Sequence, residues 1–128
     1  MSPRPHPPFK SCPCGSGRSY AACCRPAHDG SASPPTPEVL MRARYSAFAL
    51  GDQAFVERTW HPDHRPHDLN LEDGTRYLGL KVHAAQGDEV EFTVRLRAPG
   101  EGPGSFRERS RFTQVDGEWV YVNGDLQP

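Results

Sequence analysis

The strongest constraint on this chain is the placement of its cysteines. All four lie within thirteen residues, as Cys12-Pro13-Cys14 followed eight residues later by Cys23-Cys24, and the rest of the sequence has none. A disulfide inside either pair would be strained by its short ring, and cross-pairing would require an oxidising compartment. Two disulfides or four free thiols are therefore the alternatives to a metal site. A tetrahedral zinc ion takes four soft donors, two from each of two chain segments, and this spacing supplies them. Gly15-Ser16-Gly17 provides the tight turn between the pairs, since glycine reaches positive φ and lets backbone N–H groups approach the thiolates. Residues 18–24 read as a helical turn or two that carries Cys23 and Cys24 back to the first pair. The expectation is one structural zinc ion on Cys12, Cys14, Cys23 and Cys24, because four thiolates leave no open coordination position. His28 reads as a turn residue in His28-Asp29-Gly30, not as a fifth ligand.

Charge is distributed around this cluster. The formal net charge is −1, but residues 1–37 carry Arg4, Lys10, Arg18 and Arg25 against Asp29 alone, four cations less one anion or +3, which leaves −4 for the remainder. Zinc on four thiolates is a −2 unit and calls for neighbouring cations, so this balance is far from that of a dedicated nucleic-acid binder. The opening MSPRPHPPFK lacks the apolar stretch of a secretory signal, and no apolar run approaches the ~20 residues of a membrane span. Reduced thiols suit the cytoplasm, which is the expected compartment.

Residues 1–10 read as a disordered lead-in, 11–28 as the zinc knuckle, 29–36 as a linker ending in Ser33-Pro34-Pro35-Thr36, and 37–128 as one folded domain. Thr36 is the N-cap of a helix with Pro37 at its first position and Glu38 at its positive end. Leu40, Ala43, Ala47 and Leu50 recur at helical spacing until Gly51. Asp52 caps a second helix predicted to run to about Trp60, stopped by His61-Pro62. From residue 75 the period changes to two. Leu78, Leu80 and Val82 form one apolar face, and Val90, Phe92, Val94 and Leu96 another, predicting strands near 76–84, 89–98, 105–115 and 118–123. Helices followed by an antiparallel meander make an α+β domain with the helices on one face of a curved sheet.

The cysteine spacing with its embedded Ser-Gly resembles the SEC-C motif, the small zinc module of the SecA translocation ATPase, whose last position is His or Cys. Leu40-Met-Arg-Ala-Arg-Tyr-Ser-Ala-Phe48, Thr59-Trp-His-Pro62, Tyr77-Leu-Gly-Leu80, Glu108-Arg-Ser-Arg-Phe112 and Trp119-Val-Tyr-Val-Asn-Gly124 resemble the blocks of the YchJ family of small bacterial proteins. That resemblance spans the whole chain. It implies a cone-shaped fold of the cystatin-like, nuclear-transport-factor type, with helices closing a curved sheet around a cavity, and it implies no particular activity. SEC-C modules of SecA are associated with protein partners and anionic surfaces.

One strand breaks the apolar-in, polar-out rule. Phe106, Glu108, Ser110, Phe112 and Gln114 share a face, opposite Arg107, Arg109, Arg111 and Thr113. If the phenylalanines face the helices, Glu108 and Ser110 point inward and the carboxylate needs a cationic or hydrogen-bonding partner. Arg42, Arg44, Tyr45, Trp60 and His61 are the candidates to meet it, either as a buried ion pair of Glu108 with Arg42 or Arg44 or as a polar pocket. In the pocket reading Glu108 and His61 are potential acid–base groups. The outward arginines, with Arg95 and Arg97, suit phosphate contacts, whereas Glu89, Glu91 and Glu118 on adjacent strands suit cross-strand ion pairs. Trp119 and Tyr121 offer one possible stacking face.

These features lead to a binding or adaptor protein whose zinc knuckle contacts a protein or ribonucleoprotein partner through Lys10, Arg18 and Arg25, with no catalytic residue assigned. The alternatives are a small-molecule-binding or enzymatic domain using Glu108 and His61, and nucleic-acid binding through the knuckle and the strand arginines.

Overall fold

The computed structural model describes residues 4–128. After the cysteine-bearing segment, with its 3-10 turn at Tyr20–Ala22, come α1 (Arg25–His28), α2 (Pro37–Leu50) and α3 (Gln53–Arg58). Four strands follow, β1 (Arg76–Gln86), β2 (Glu89–Arg97), β3 (Pro103–Val115) and β4 (Glu118–Gln127), in one antiparallel sheet of order β1-β2-β3-β4. The α+β class and the helix-on-sheet arrangement read from the sequence are present.

The helix signals act as expected. Thr36 Oγ1 accepts from the Val39 N–H at 3.2 Å, and Gly51 ends α2 with a left-handed φ of 75°. Asp52 Oδ1 caps α3 through the Phe55 N–H at 3.2 Å. α3 ends at Arg58, two residues before the expected Trp60, because the chain leaves it to pair with β4. The Tyr121 N–H donates to Thr59 O, and the His61 N–H to Tyr121 O, both at 2.8 Å. Leu40, Ala47, Phe55, Val56 and Val90 are almost fully buried between helices and sheet. Each of the larger apolar side chains contributes roughly 1.5–3 kcal/mol by leaving water.

The strands depart from simple alternation at three places. Register shifts after Tyr77 and after Val82 in β1 and at Val122 in β4 each insert a bulged residue. In β1 the first shift turns Leu78 outward, 41% exposed, and lets Tyr77 as well as Leu80 face inward. In β4 it places Tyr121 on the inner face opposite Phe112, and then Gly124 opposite Ser110. Trp119 packs on the core, so the two aromatics do not form the outward stacking face considered above.

Residues 4–10, expected to be disordered, are tied to the end of α2 through Arg4 and to the knuckle through Pro8 and Lys10, whose carbonyls accept from the Ala21 and Tyr20 N–H groups. The Arg4 N–H donates to Leu50 O at 2.7 Å and its guanidinium to Ala49 O, supplying donors to carbonyls that a helix end leaves free. Residues 29–36 are tied down as well. Ser31 N–H reaches Asp29 Oδ1 at 2.9 Å, and Ser33 Oγ donates to Glu118 Oε1 at 2.7 Å. Among the described residues no helix is long and apolar enough to cross a membrane.

Candidate metal centre and the domain cavity

Gly15 and Gly17 adopt φ of 77° and 85°, folding the chain sharply after Cys14, and an antiparallel bridge between Ser11 and Ser19 closes the loop. The Cys12 N–H donates to Arg18 O at 2.9 Å and the Tyr20 N–H to Lys10 O at 2.8 Å. The 3-10 turn then returns Cys23 and Cys24 to the first pair. All four sulfurs lie within 4.8 Å of one another, none is in a disulfide, and Cys12, Cys14 and Cys24 are buried. Cys14 Sγ is 3.5 Å from Cys23 Sγ, which is 3.9 Å from Cys24 Sγ. A tetrahedron with metal–sulfur bonds of about 2.3 Å has edges of about 3.8 Å, so the set fits a four-sulfur ion with little movement.

Crowding makes the thiols unequal. Hydrogen bonds from Cys12 and Cys24 hold Cys14 far below the ordinary thiol range. Burial pushes Cys23 up, and Cys24 is pushed up by its hydrogen bonding to Cys12 and Cys14 together with burial. Four sulfurs so close cannot all ionise without a cation between them, which is the electrostatic condition of a metal site.

Two residues of α2 support the cluster. Ser46, fully buried, lies with its Oγ 3.4 Å from Cys24 Sγ and 3.5 Å from Cys12 Sγ. Arg42 donates from Nη1 to Cys14 O at 3.2 Å and pairs with Glu38. Arg42 is therefore a cation of the cysteine cluster, not of the pocket. Arg44 lies two residues on, about 200° round the helix, and faces the other way. His28 is neither a ligand nor a loose turn residue. Tyr20 donates its hydroxyl to His28 Nδ1 at 2.6 Å, and His28 Nε2–H donates to Ala43 O at 2.8 Å, pinning the knuckle to α2. Burial lowers the His28 pKa, and burial raises that of Tyr20 to about 12.

On its opposite side α2 presents Met41, Arg44, Tyr45 and Phe48 to a cavity of about 230 Å³ against the sheet. Arg44 is buried and stacks between Trp60 and Tyr121, its guanidinium carbon 5.0 and 4.6 Å from the ring centres. Its Nη1 donates to Val56 O at 3.0 Å and Thr59 Oγ1 at 2.7 Å, and burial lowers its pKa to about 10. Glu108 and Ser110 do face inward. Glu108 Oε2 accepts from Ser110 Oγ, and from the Tyr121 hydroxyl at 3.1 Å, so its direct partners are hydroxyls and not Arg42 or Arg44. His61 does not line this cavity. Its Nδ1 accepts from the Asp63 N–H at 3.1 Å and its ring packs on His64, so it is not brought together with Glu108.

Lys10, Arg18 and Arg25 are exposed. Lys10 and Arg18 flank the Ser11–Ser19 bridge, beside a Phe9 that is 81% exposed, whereas Arg25 opens α1 near Asp29 and Asp52. Among the strand arginines, Arg107, Arg109 and Arg111 are matched by acids, whereas Arg95 donates to Leu78 O at 3.1 Å and neither it nor Arg97 has an acidic partner among the described residues. Arg107 and Arg109 reach Glu91 at 2.7 and 3.3 Å, and Arg111 binds Asp125 and Asn123. Ser46 and Gly124 were missed by sequence reasoning, and Tyr121 was read as part of a stacking face and not as a partner of Glu108. Ser46 had a visible signal, a polar residue inside the Ala43–Ala47–Leu50 stripe, but the other two depend on the β4 bulge.

Residues 36–124 match the family model described as the YchJ middle NTF2-like domain, and residues 10–26 match the SEC-C motif. The chain belongs to the YchJ family. Relatives include the UPF0225 protein of Deinococcus radiodurans, 61% identical over 91% of this chain and 90% of its own. A UPF0225 protein of Streptomyces coelicolor is 48% identical over 93% and 98%. The chain also resembles the solution structure of a SEC-C motif-containing protein from Rhodopseudomonas palustris. That match has a TM-score of 0.81 and 36% identity, covering 91% of this chain and 98% of that one. A SEC-C motif-containing protein from Psychrobacter arcticus, 23% identical with a TM-score of 0.69 over 94% and 85%, shares the fold.

Proposed function

We propose that the cysteine cluster holds one structural zinc ion and that the knuckle it builds is the contact surface of a cytoplasmic adaptor protein. The observation that carries this reading is the closed sulfur set, with three of four cysteines buried against α2, on a loop that exposes Phe9, Lys10 and Arg18. A closed four-thiolate site has no position for substrate, so its chemistry is to hold shape. What it shapes is a small loop carrying an aromatic anchor and two cations. Exposed aromatic and basic side chains together suit the acidic surface of a protein partner. Arg107, Arg109 and Arg111 are each paired with an acid, which leaves these three little free charge for a nucleic acid.

Zinc content by native mass spectrometry tests the first half. One ion per chain, lost to a chelator, is expected; no zinc, or oxidised cysteines in a folded chain, refutes it. For the second half, Lys10→Glu, Arg18→Glu and Arg25→Glu together, with Phe9→Ala as a separate variant, are compared with the unaltered protein in salt-dependent pull-downs. Loss of one protein partner at unchanged folding and zinc content is expected. Partner capture that survives both variants removes the knuckle from the interaction, and capture that is sensitive to nuclease assigns it to nucleic acid.

A further inference from the structure

The cavity beneath α2 is separate from the metal centre and contains two charges that do not touch each other. Glu108 uses Oε2 for the Ser110 and Tyr121 hydroxyls, and its Oε1 has no hydrogen-bond partner among the described residues. Arg44 uses Nη1 for Val56 O and Thr59 Oγ1, and its Nε and Nη2 likewise have none. The indole N–H of Trp60, in the same wall, is buried without a partner. Of these atoms only the Trp60 N–H is sealed off without a partner, whereas the unpaired atoms of Glu108 and Arg44 remain accessible, so a molecule entering the cavity finds an acceptor and donors ready to pair. The remaining walls are aromatic and aliphatic, among them Phe92, Phe106 and Phe112.

We infer that this cavity binds a small, neutral, planar molecule with a neighbouring hydrogen-bond donor and acceptor, an aromatic amide or lactam, whose N–H meets Glu108 and whose carbonyl meets Arg44. Size sets one limit. A cavity of 150 Å³ lined by apolar side chains takes benzene, so about 230 Å³ holds about nine or ten non-hydrogen atoms. Charge sets the other. Arg44 and Glu108 are the charged groups of the lining, and Tyr45, Tyr77 and Tyr121 are tyrosines whose burial keeps them neutral. A ligand carboxylate would satisfy Arg44 but face Glu108, and a ligand cation would do the reverse, each in surroundings that screen poorly. An amide dipole answers both ends at once. The flanking rings supply faces for a planar body.

Benzamide, benzoate and benzamidinium are close to isosteric and differ in charge, so they serve as probes. Each is titrated into the zinc-loaded full chain while backbone amide spectra are recorded. Saturable shifts are expected around Phe92, Phe106, Ser110 and Tyr121 with benzamide, and binding about tenfold weaker for either ion, the size of a one-unit charge effect. Absence of benzamide shifts at millimolar concentration, or equal binding of an ion, overturns the inference. Glu108→Gln leaves Arg44 as the net charge and is expected to reverse the order, so that benzoate binds more tightly than benzamide; an unchanged order overturns the charge argument. Phe106→Trp reduces the space without altering either charge and is expected to abolish benzamide binding. Benzamide binding undiminished in that variant places the ligand elsewhere and overturns the site.

Discussion

Ser46, in the middle of α2, directs its hydroxyl at Cys24 Sγ from 3.4 Å, with Cys12 Sγ 3.5 Å away on its other side. A helix residue of the folded domain thus lies against a cysteine cluster built more than twenty positions earlier, in the outer shell of the proposed zinc site. Outer-shell donors orient thiolates and disperse their charge. Ser46→Ala is expected to weaken zinc affinity about 10- to 100-fold while leaving the domain folded. Competition against a chromophoric chelator measures this, and an affinity equal to that of the unaltered protein would show Ser46 to be packing alone.

Metal removal should reach beyond the knuckle. Cys12, Cys14 and Cys24 are part of the same core cluster as Leu40, Ala43 and Ala47. Chelation, or Cys14→Ser, is expected to perturb amides of α2 near Arg42, Ala43 and Ser46 as well as those of residues 10–28. The sheet would persist, and Tm would fall on the order of 10 °C. Spectral change confined to residues 12–24 would instead mean a knuckle that folds independently.

His28 links acidity to stability. Burial lowers its folded pKa beneath the unfolded value of about 6.5. The unfolded chain therefore binds the proton more readily, so the His28 contribution is fully present above pH 6.5 and is lost as pH falls toward the folded pKa. NMR titration should show its imidazole protonating below the ordinary range, and His28→Gln should flatten the fall in stability over that interval. A His28 that titrates at the ordinary value would disconnect it from the Tyr20 and Ala43 hydrogen bonds.

Gly124 makes room for a carboxylate. A Cβ there would overlap the Glu108 carboxylate at Oε2. Gly124→Ala is expected to displace Glu108 from Ser110 and Tyr121 and to destabilise the fold by about 1–3 kcal/mol. Combined with Glu108→Ala, the effect should be smaller than the sum of the two, by about 0.5–3 kcal/mol. Additive losses in chemical denaturation would show that the two sites do not compete for space.

Local patterns account for what was legible in advance. Cysteine spacing, the Thr36 and Asp52 caps and the period change after residue 75 act over a few residues, so the cysteine cluster, the helix starts and the antiparallel strands could be read directly. The inward Glu108 and Ser110 were legible for the same reason, since they share a pleat with Phe106 and Phe112. Burial partners were not. A bulge at Val122 reverses strand parity and brings Tyr121 and Gly124 to Glu108, and nothing in the alternation marks where a bulge will fall. Arg42 and Arg44 looked interchangeable as neighbours of that carboxylate. Only once α2 is clamped between knuckle and sheet does its 100° per residue send Arg42 and Ser46 to the cysteines and Arg44 to the cavity, because a helix can show each residue to just one side.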